Sequence, residues 1–230
     1  DTTMLQELDP DLILTQELCD VCAVSYKQVE KAARMYVADS TVVSLEPNTI
    51  EGVFETINTV GELANVRAKA AVVVAGLRHR LEVISEQTKG VDRPKVFMLE
   101  WLEPPFAPGH WVPEQVEIAG GETILGKPGH RSETTTFEAI FESNPDVMVL
   151  IPCGYYTADI LRQLEDQKFP ANWKEISAVK NDQVWALDAT KYFSRPGPRI
   201  VDGTEILAKI FHPEIFGLPQ HYEAARVPNR

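Results

Sequence analysis

The sequence predicts an α/β fold of two similar lobes, each with a parallel sheet, joined by one long helix. Three observations carry that expectation. The phrase Leu8-Asp9-Pro10-Asp11 running into Leu12-Ile13-Leu14-Thr15 returns 135 residues later as Ser143-Asn144-Pro145-Asp146 running into Val147-Met148-Val149-Leu150. In each copy the proline fixes φ and its Asx neighbours favour a tight turn. The apolar run that follows is too short for an ordinary helix and has the character of a buried parallel strand. Beyond the repeat, short apolar runs alternate with stretches of helical spacing, as parallel strands do with their crossover helices. Finally, 65–89 holds no proline and forms one uninterrupted helical segment.

Taken in order, the first proline turn leads into a strand over 12–15, which leaves through Gln16-Glu17-Leu18-Cys19-Asp20-Val21-Cys22. Tyr26, Val29, Ala33 and Tyr36 recur at helical spacing and predict a helix over 26–36. Thr41-Val42-Val43-Ser44-Leu45 is the next strand. Glu46-Pro47-Asn48-Thr49 ends it and caps a helix from about Ile50, with Thr49 or Asn48 as N-cap and Gly61 near the far end. In the long segment, Val66, Ala70, Val73, Leu77, Leu81 and Ile84 form one apolar stripe at spacings of three and four. At about 1.5 Å per residue it would run roughly 36 Å, long enough to link two lobes rigidly.

Past the turn at 90–94, Lys95 to Trp101 is a strand ending in an exposed segment, Leu102 to Trp111. A helix over 112–119 opens with Pro113 and stops at Gly120-Gly121. A short strand over 123–125, a loop over 126–132 and a helix over 137–142 lead into the second proline turn. Then come a helix over 157–167, a strand over 184–187, a loop over 188–198 and a helix over 199–211. The polar, aperiodic end is expected to be a loose tail. The expected division is therefore an N-terminal lobe over 1–64, a linking helix over 65–89, a C-terminal lobe over 90–216 and a tail over 217–230.

With 230 residues, 44% of them hydrophobic, the chain can bury a proper core. A net charge of −12, with scattered rather than clustered Lys and Arg, argues against nucleic acid and anionic membrane surfaces as partners. No apolar run reaches the length of a membrane span, so no direct membrane insertion is expected. Three cysteines are too few for a disulfide framework. Cys19 and Cys22 leave a redox dithiol, half a metal site and a structural or ligand-contact role open, although no second CxxC or His pair at zinc spacing completes a tetrahedron. Cys153 is expected to pack rather than react.

In an open parallel sheet the ligand crevice lies outside the carboxyl ends of the strands. The loops expected there gather Trp101, Phe106, Trp111, Tyr155, Tyr156, Tyr192 and Phe193, stiffened by Pro104, Pro105 and Pro108. Such a surface suits a large, flat, partly apolar ligand rather than a small ion. For Trp101 and Phe193, core packing and ligand contact stay equally open. Trp111 and the Tyr155-Tyr156 pair, beside Pro or Gly and outside the periodic segments, are expected to be exposed. Trp173 and Trp185 are assigned to the core. Chemistry is poorly provided for: the five histidines form no pair at metal-ligand spacing, and no nucleophile elbow or phosphate loop is present. His110, in the aromatic loop, is either a polar contact or an axial ligand to a metal held by a macrocycle.

Pro10 to Gln16, the long helix, Leu99 to Phe106 with its Pro-Pro-Phe, Glu117-Ile118-Ala119-Gly120-Gly121, Asn144-Pro145-Asp146, and Tyr192-Phe193 through Pro198-Arg199 resemble the ABC-transporter solute-binding proteins of the vitamin B12 and ferric-siderophore type, most of all their cobalamin-binding branch. The resemblance extends to about Phe216. It implies two Rossmann-like lobes joined by one rigid helix, with a corrinoid in the cleft between them, no covalent chemistry and no cofactor of the protein's own. Membrane ABC importer subunits are the implied partners, which places the protein in the periplasm or otherwise outside the cytoplasm. By position, the implied ligand contacts fall on Pro105-Phe106, Gly154-Tyr155 and Tyr192, and more loosely on the loop with Glu17 and Cys19. Trp101, His110, Trp111, Tyr156, Phe193 and Arg195 complete the candidate site, and Glu103 and Glu114 are candidates for docking on the importer. About 48 residues, Lys95 to Glu142, precede the second proline turn but only eight precede the first. The first lobe is therefore expected to lack about one strand-helix-strand unit. Haem or a ferric chelate is the alternative ligand, and a thiol or metal enzyme using Cys19, Cys22 and Cys153 the alternative of another class.

Overall fold

The computed structural model of the chain describes residues 2–17, 26–37 and 40–228. A short helix α1 (Thr2–Leu8) precedes β1 (Leu12–Thr15), α2 (Tyr26–Tyr36) and β2 (Thr41–Ser44), and β1 and β2 pair in parallel from Leu12 opposite Thr41 to Thr15 opposite Ser44. Two helices follow, α3 (Ile50–Leu63) and the long α4 (Arg67–Gln87). The larger lobe then runs β3 (Lys95–Leu99), β4 (Trp101–Leu102), β5 (Pro105–Ala107), α5 (Val112–Ile118), β6 (Glu122–Thr123), β7 (Glu133–Thr134), α6 (Phe137–Ser143), β8 (Val147–Leu150), α7 (Thr157–Asp166), α8 (Ser177–Lys180), β9 (Val184–Leu187), α9 (Ala189–Tyr192), α10 (Arg199–Phe211), α11 (Pro213–Phe216) and β10 (Ala224–Arg226).

The main sheet has the order β10-β9-β8-β3-β6, parallel except for β10. Its central strands are buried on both faces, which is why their sequences read as continuous apolar runs. Side chains alternate between two cores. Val96, Met98, Val147, Val149, Trp185 and Leu187 face α3, α4, α5 and α10, while Phe97, Leu99, Met148, Leu150, Val184 and Ala186 face α6, α7 and α8.

The proline turns are alike in detail. Asp9 and Asn144, each just before its proline, take φ of 39° and 42°. The carbonyl of Pro10 accepts from Ser40 Oγ, and that of Pro145 accepts from the Ala178 amide at 2.9 Å. Each turn is thus tied to the chain entering the neighbouring strand, so the repeat is a βαβ unit used twice. The copies differ in burial, since every residue of β8 and β9 is buried and none of β1 or β2 is.

Thr49 is the N-cap of α3, accepting from the Gly52 amide at 3.0 Å. The buried stripe of α4 is Ala70, Val74, Leu77, Leu81 and Ile84. Val73, expected in that stripe, is 44% exposed, and Val74 takes its place at 2%. The spacing alone allows either residue, and the core that α4 shares with α3, α5 and α10 takes Val74. Arg80 fixes that contact through Glu205 at 2.7 and 2.8 Å and Asp202 at 2.6 Å on α10. Three further expectations change. The segment 102–111, expected to be exposed, is mostly buried, because β4 and β5 form a hairpin extended by β7 into a small antiparallel sheet. The final segment is not wholly loose, because Ala224–Arg226 adds an antiparallel edge strand to β9. Trp173 is only partly buried and stacks on Phe169 at 4.1 Å, whereas Trp185 is core as expected.

These faces of α4 predict opposite responses to truncation. Leu81→Ala should lower unfolding stability by about 2–5 kcal/mol, and Val72→Ala, at a position 74% exposed, should leave it unchanged or slightly raised. Urea denaturation followed by circular dichroism checks both.

Candidate functional site

From β3 the chain moves outward to β6, then returns across β3 to β8 and on to β9. The connections that leave the carboxyl ends of β3 and β8 therefore diverge, and a crevice opens between them. Trp101, just beyond β3, and Tyr155, just beyond β8, meet there edge to face, with centroids 5.7 Å apart and planes at 80°. Phe106 lies opposite Trp101 across the β4–β5 hairpin. Trp101, Phe106 and Tyr155 are each partly exposed, Pro105 is buried beneath them, and Cys153, Gly154 and Tyr156 are exposed beside them. The result is an aromatic face open on one side.

Hydrogen bonds from backbone and side chains hold the face together. The Tyr155 carbonyl accepts from the Thr190 amide at 3.3 Å, joining the β8 exit to α9. Trp111 Nε1 donates to the Phe193 carbonyl at 3.0 Å, and Gln115 Nε2 donates to the Ile200 carbonyl at 2.7 Å, joining α5 to the β9 exit. Glu100 sits at the junction of β3 and β4. Its amide donates to the Phe106 carbonyl at 3.1 Å and its carbonyl accepts from the Cys153 amide at 3.1 Å. Its carboxylate accepts from the Gly109 amide at 3.3 Å and from Ser132 Oγ. Burial pushes that carboxyl up to about 7, against the opposing pull of the Ser132 and Gly109 hydrogen bonds. Gly109 must be glycine, because a Cβ there would lie 2.2 Å from the Ser132 amide nitrogen.

His110 follows with φ 53°. Its amide donates to the His130 carbonyl at 2.6 Å and its carbonyl accepts from the Gly129 amide at 2.9 Å. Burial, aided by the charge of Arg131, lowers its pKa and favours neutral imidazole. Its Nε2 is buried without a hydrogen-bond partner.

Several expected site residues lie elsewhere. Trp111 is buried rather than exposed, because its indole N–H spans to the β9 exit. Tyr192 and Phe193 are 4% and 2% exposed and belong to the core, with Lys191 Nζ 4.7 Å over the Tyr192 ring. Arg195 is exposed beyond them and Glu17 is half-buried after β1. Cys153 is exposed rather than packed, since it follows the last sheet residues into the turn. Cys19 and Cys22 lie outside the described residues. Glu114, expected to be exposed, is half-buried and accepts from the Ile50 amide at 2.6 Å, so α5 caps the start of α3. Burial raises the Glu114 pKa against that bond. Glu103 is exposed.

The family model for periplasmic binding protein matches residues 3–190. The chain belongs to the periplasmic binding protein family. This periplasmic binding protein is 27% identical over 217 residues to an uncharacterized ABC transporter substrate-binding lipoprotein of Bacillus subtilis, covering 91% of the chain and 64% of the relative. It is 28% identical over 215 residues to a cobalamin-binding protein of Halobacterium salinarum, covering 89% of the chain and 54% of the relative. The chain thus spans less than two thirds of either relative's length. In structure it resembles a periplasmic heme binding protein of Pseudomonas aeruginosa, with a TM-score of 0.79 at 16% identity, covering 100% of this chain and 81% of that one. That likeness shows the fold.

Among the described residues of this periplasmic binding protein, no three His, Cys, Asp or Glu side chains are grouped to hold a metal ion. No described helix is long and apolar enough to cross a membrane. Glu100, Ser132, Gln115 and Thr190 were not legible as site-forming residues. Glu100 alone carried a signal, as the one acid between apolar Val96–Leu99 and Trp101-Leu102. Removing the Trp111 indole N–H would leave the buried Phe193 carbonyl unpaired. Trp111→Phe should therefore lose about 1–3 kcal/mol of stability, measured by chemical denaturation.

Proposed function

We propose that this periplasmic binding protein captures cobalamin or a related corrinoid, delivers it to a membrane ABC importer, and performs no covalent chemistry itself. The observation that carries this is the open aromatic face of Trp101, Phe106, Tyr155 and Tyr156 at the β3–β8 crevice. A broad macrocycle gains most from large rings held rigidly over an apolar floor, because contact area is obtained with little side-chain ordering. Pro105, Phe106, Gly154 and Tyr155, to which the resemblance assigns ligand contacts, all belong to that face. Trp111, Tyr192 and Phe193 support it from beneath, and His110 positions its loop. The loop beginning at Glu17, with Cys19, supplies contacts from the other lobe. A relative that bears the name cobalamin-binding protein agrees with this ligand. Work for an importer puts the protein outside the cytoplasmic membrane, and exposed Glu103 remains a candidate for docking.

Haem or a ferric chelate is the second reading. Such ligands are commonly anionic, and exposed Lys191 and Arg195 at the β9 exit offer charge for one. Titration with cyanocobalamin, followed by visible absorbance and tryptophan quenching, should show saturable one-to-one binding. Tyr155→Ala should weaken it by about 1 kcal/mol or more through lost ring contact. No saturable binding by the whole protein would refute the proposal, and tighter binding of haem than of cyanocobalamin would select the second reading.

A further inference from the structure

We infer that Glu100 is the positioning residue of the strand-end face, a pin that holds four segments in the arrangement that meets the ligand. What the face receives rests on the proposed function; the pin is a property of the ligand-free protein. Through backbone and side chain, Glu100 bonds to Phe106 on the hairpin, Gly109 before α5, Ser132 before β7 and Cys153 on the β8 exit. It is also the neighbour of Trp101, so its position sets where that indole stands against Tyr155. Gly109 leaves no room for a side chain between the two segments that the carboxyl joins.

A carboxylate in this place is held by neutral donors. The titratable and charged side chains on the surrounding segments are Glu103 on the hairpin, His110 beside Gly109, Lys127, His130, Arg131 and Glu133 around Ser132, and Cys153 and Tyr155 on the β8 exit. None of them is among the causes of the Glu100 shift, which are burial and the opposing bonds from Ser132 and Gly109. Pinned, the group has a pKa of about 7 against an ordinary 4.5, to which it returns when the loops open to water. The protonated form therefore favours the pinned arrangement. As pH rises from the lower value to the higher, the opening equilibrium grows by up to about tenfold per pH unit, and it levels off once the pinned carboxyl has ionised.

Carbon-detected NMR of the Glu100 carboxyl, and amide exchange at Gly109 and Cys153 corrected for intrinsic rates, test the pin without ligand. The expected results are a carboxyl titrating near 7 and an opening constant that rises at least tenfold between about pH 5 and 7. Glu100→Gln should be folded with a flat profile, and Ser132→Ala should move the midpoint upward by removing a bond that lowers the pKa. A carboxyl titrating in the ordinary range, or the same pH dependence in Glu100→Gln, would overturn the inference. Because only the pinned fraction binds, cyanocobalamin affinity in the natural protein should weaken with pH by the factor of one plus the opening constant measured by exchange, and stay level in Glu100→Gln. Affinity that departs from that factor would overturn the link to the ligand. Failure to bind at any pH would instead count against the corrinoid, leaving the two ligand-free measurements to decide the pin.

Discussion

β3 and β8 lie side by side at the centre of a sheet covered on both faces, and the crevice exists because of that pairing. Parallel strands require their connections to cross over the sheet, and here the crossovers from β3 and β8 run in opposite directions. Trp101 follows the end of β3 and Tyr155 and Tyr156 follow the end of β8, while Phe106 returns to Trp101 across the β4–β5 hairpin. The packing that makes the strands rigid, with Phe97 and Leu99 on one face and Val96 and Met98 on the other, therefore also fixes the relative positions of Trp101 and Tyr155.

The two lobes are unequal in the same physical terms. The βαβ unit built on the second proline turn has β3 on the far side of β8 and a helix layer on each face. Among the described residues, β1 and β2 of the unit built on the first turn pair only with each other, and neither strand is buried. A two-stranded ladder with half-covered faces is marginal by itself. α3 and α4, by contrast, share a core with α5 and α10, and the Glu114 carboxylate on the Ile50 amide ties the start of α3 to the larger lobe. The long helix thus packs on α3 and, through α5 and α10, on the larger lobe.

Where prediction from residues went astray, the cause was the same each time. Trp111 stands beside a proline outside any periodic run, which marks exposure in most contexts, but a partner 82 positions away takes its indole N–H. Val73 and Val74 are equivalent in a helical pattern until a neighbouring helix chooses between them. The β4–β5–β7 sheet joins three segments of only two or three residues, too short for any alternation to show. Tyr192 looked like a stacking ring because the resemblance placed it among the ligand contacts, yet the one-turn helix after Asp188 folds its side chain beneath the surface.

Local chemistry legible in the chain decided the elements themselves. Proline and Asx residues set both turns, Thr49 capped α3, the absence of proline made α4 continuous, and apolar runs marked the strands, although those of the larger lobe are buried on both faces and β1 and β2 are not. These depend on residues within a few positions of one another, so the sequence by itself determined them, along with the likeness of the two βαβ units. The tertiary structure alone decided which aromatic rings are open, where Trp111 and Glu114 find their partners, and that Glu100 joins four segments. Those outcomes depend on pairings between residues up to 82 positions apart, whose geometry follows from sheet order and helix crossing rather than from any local pattern.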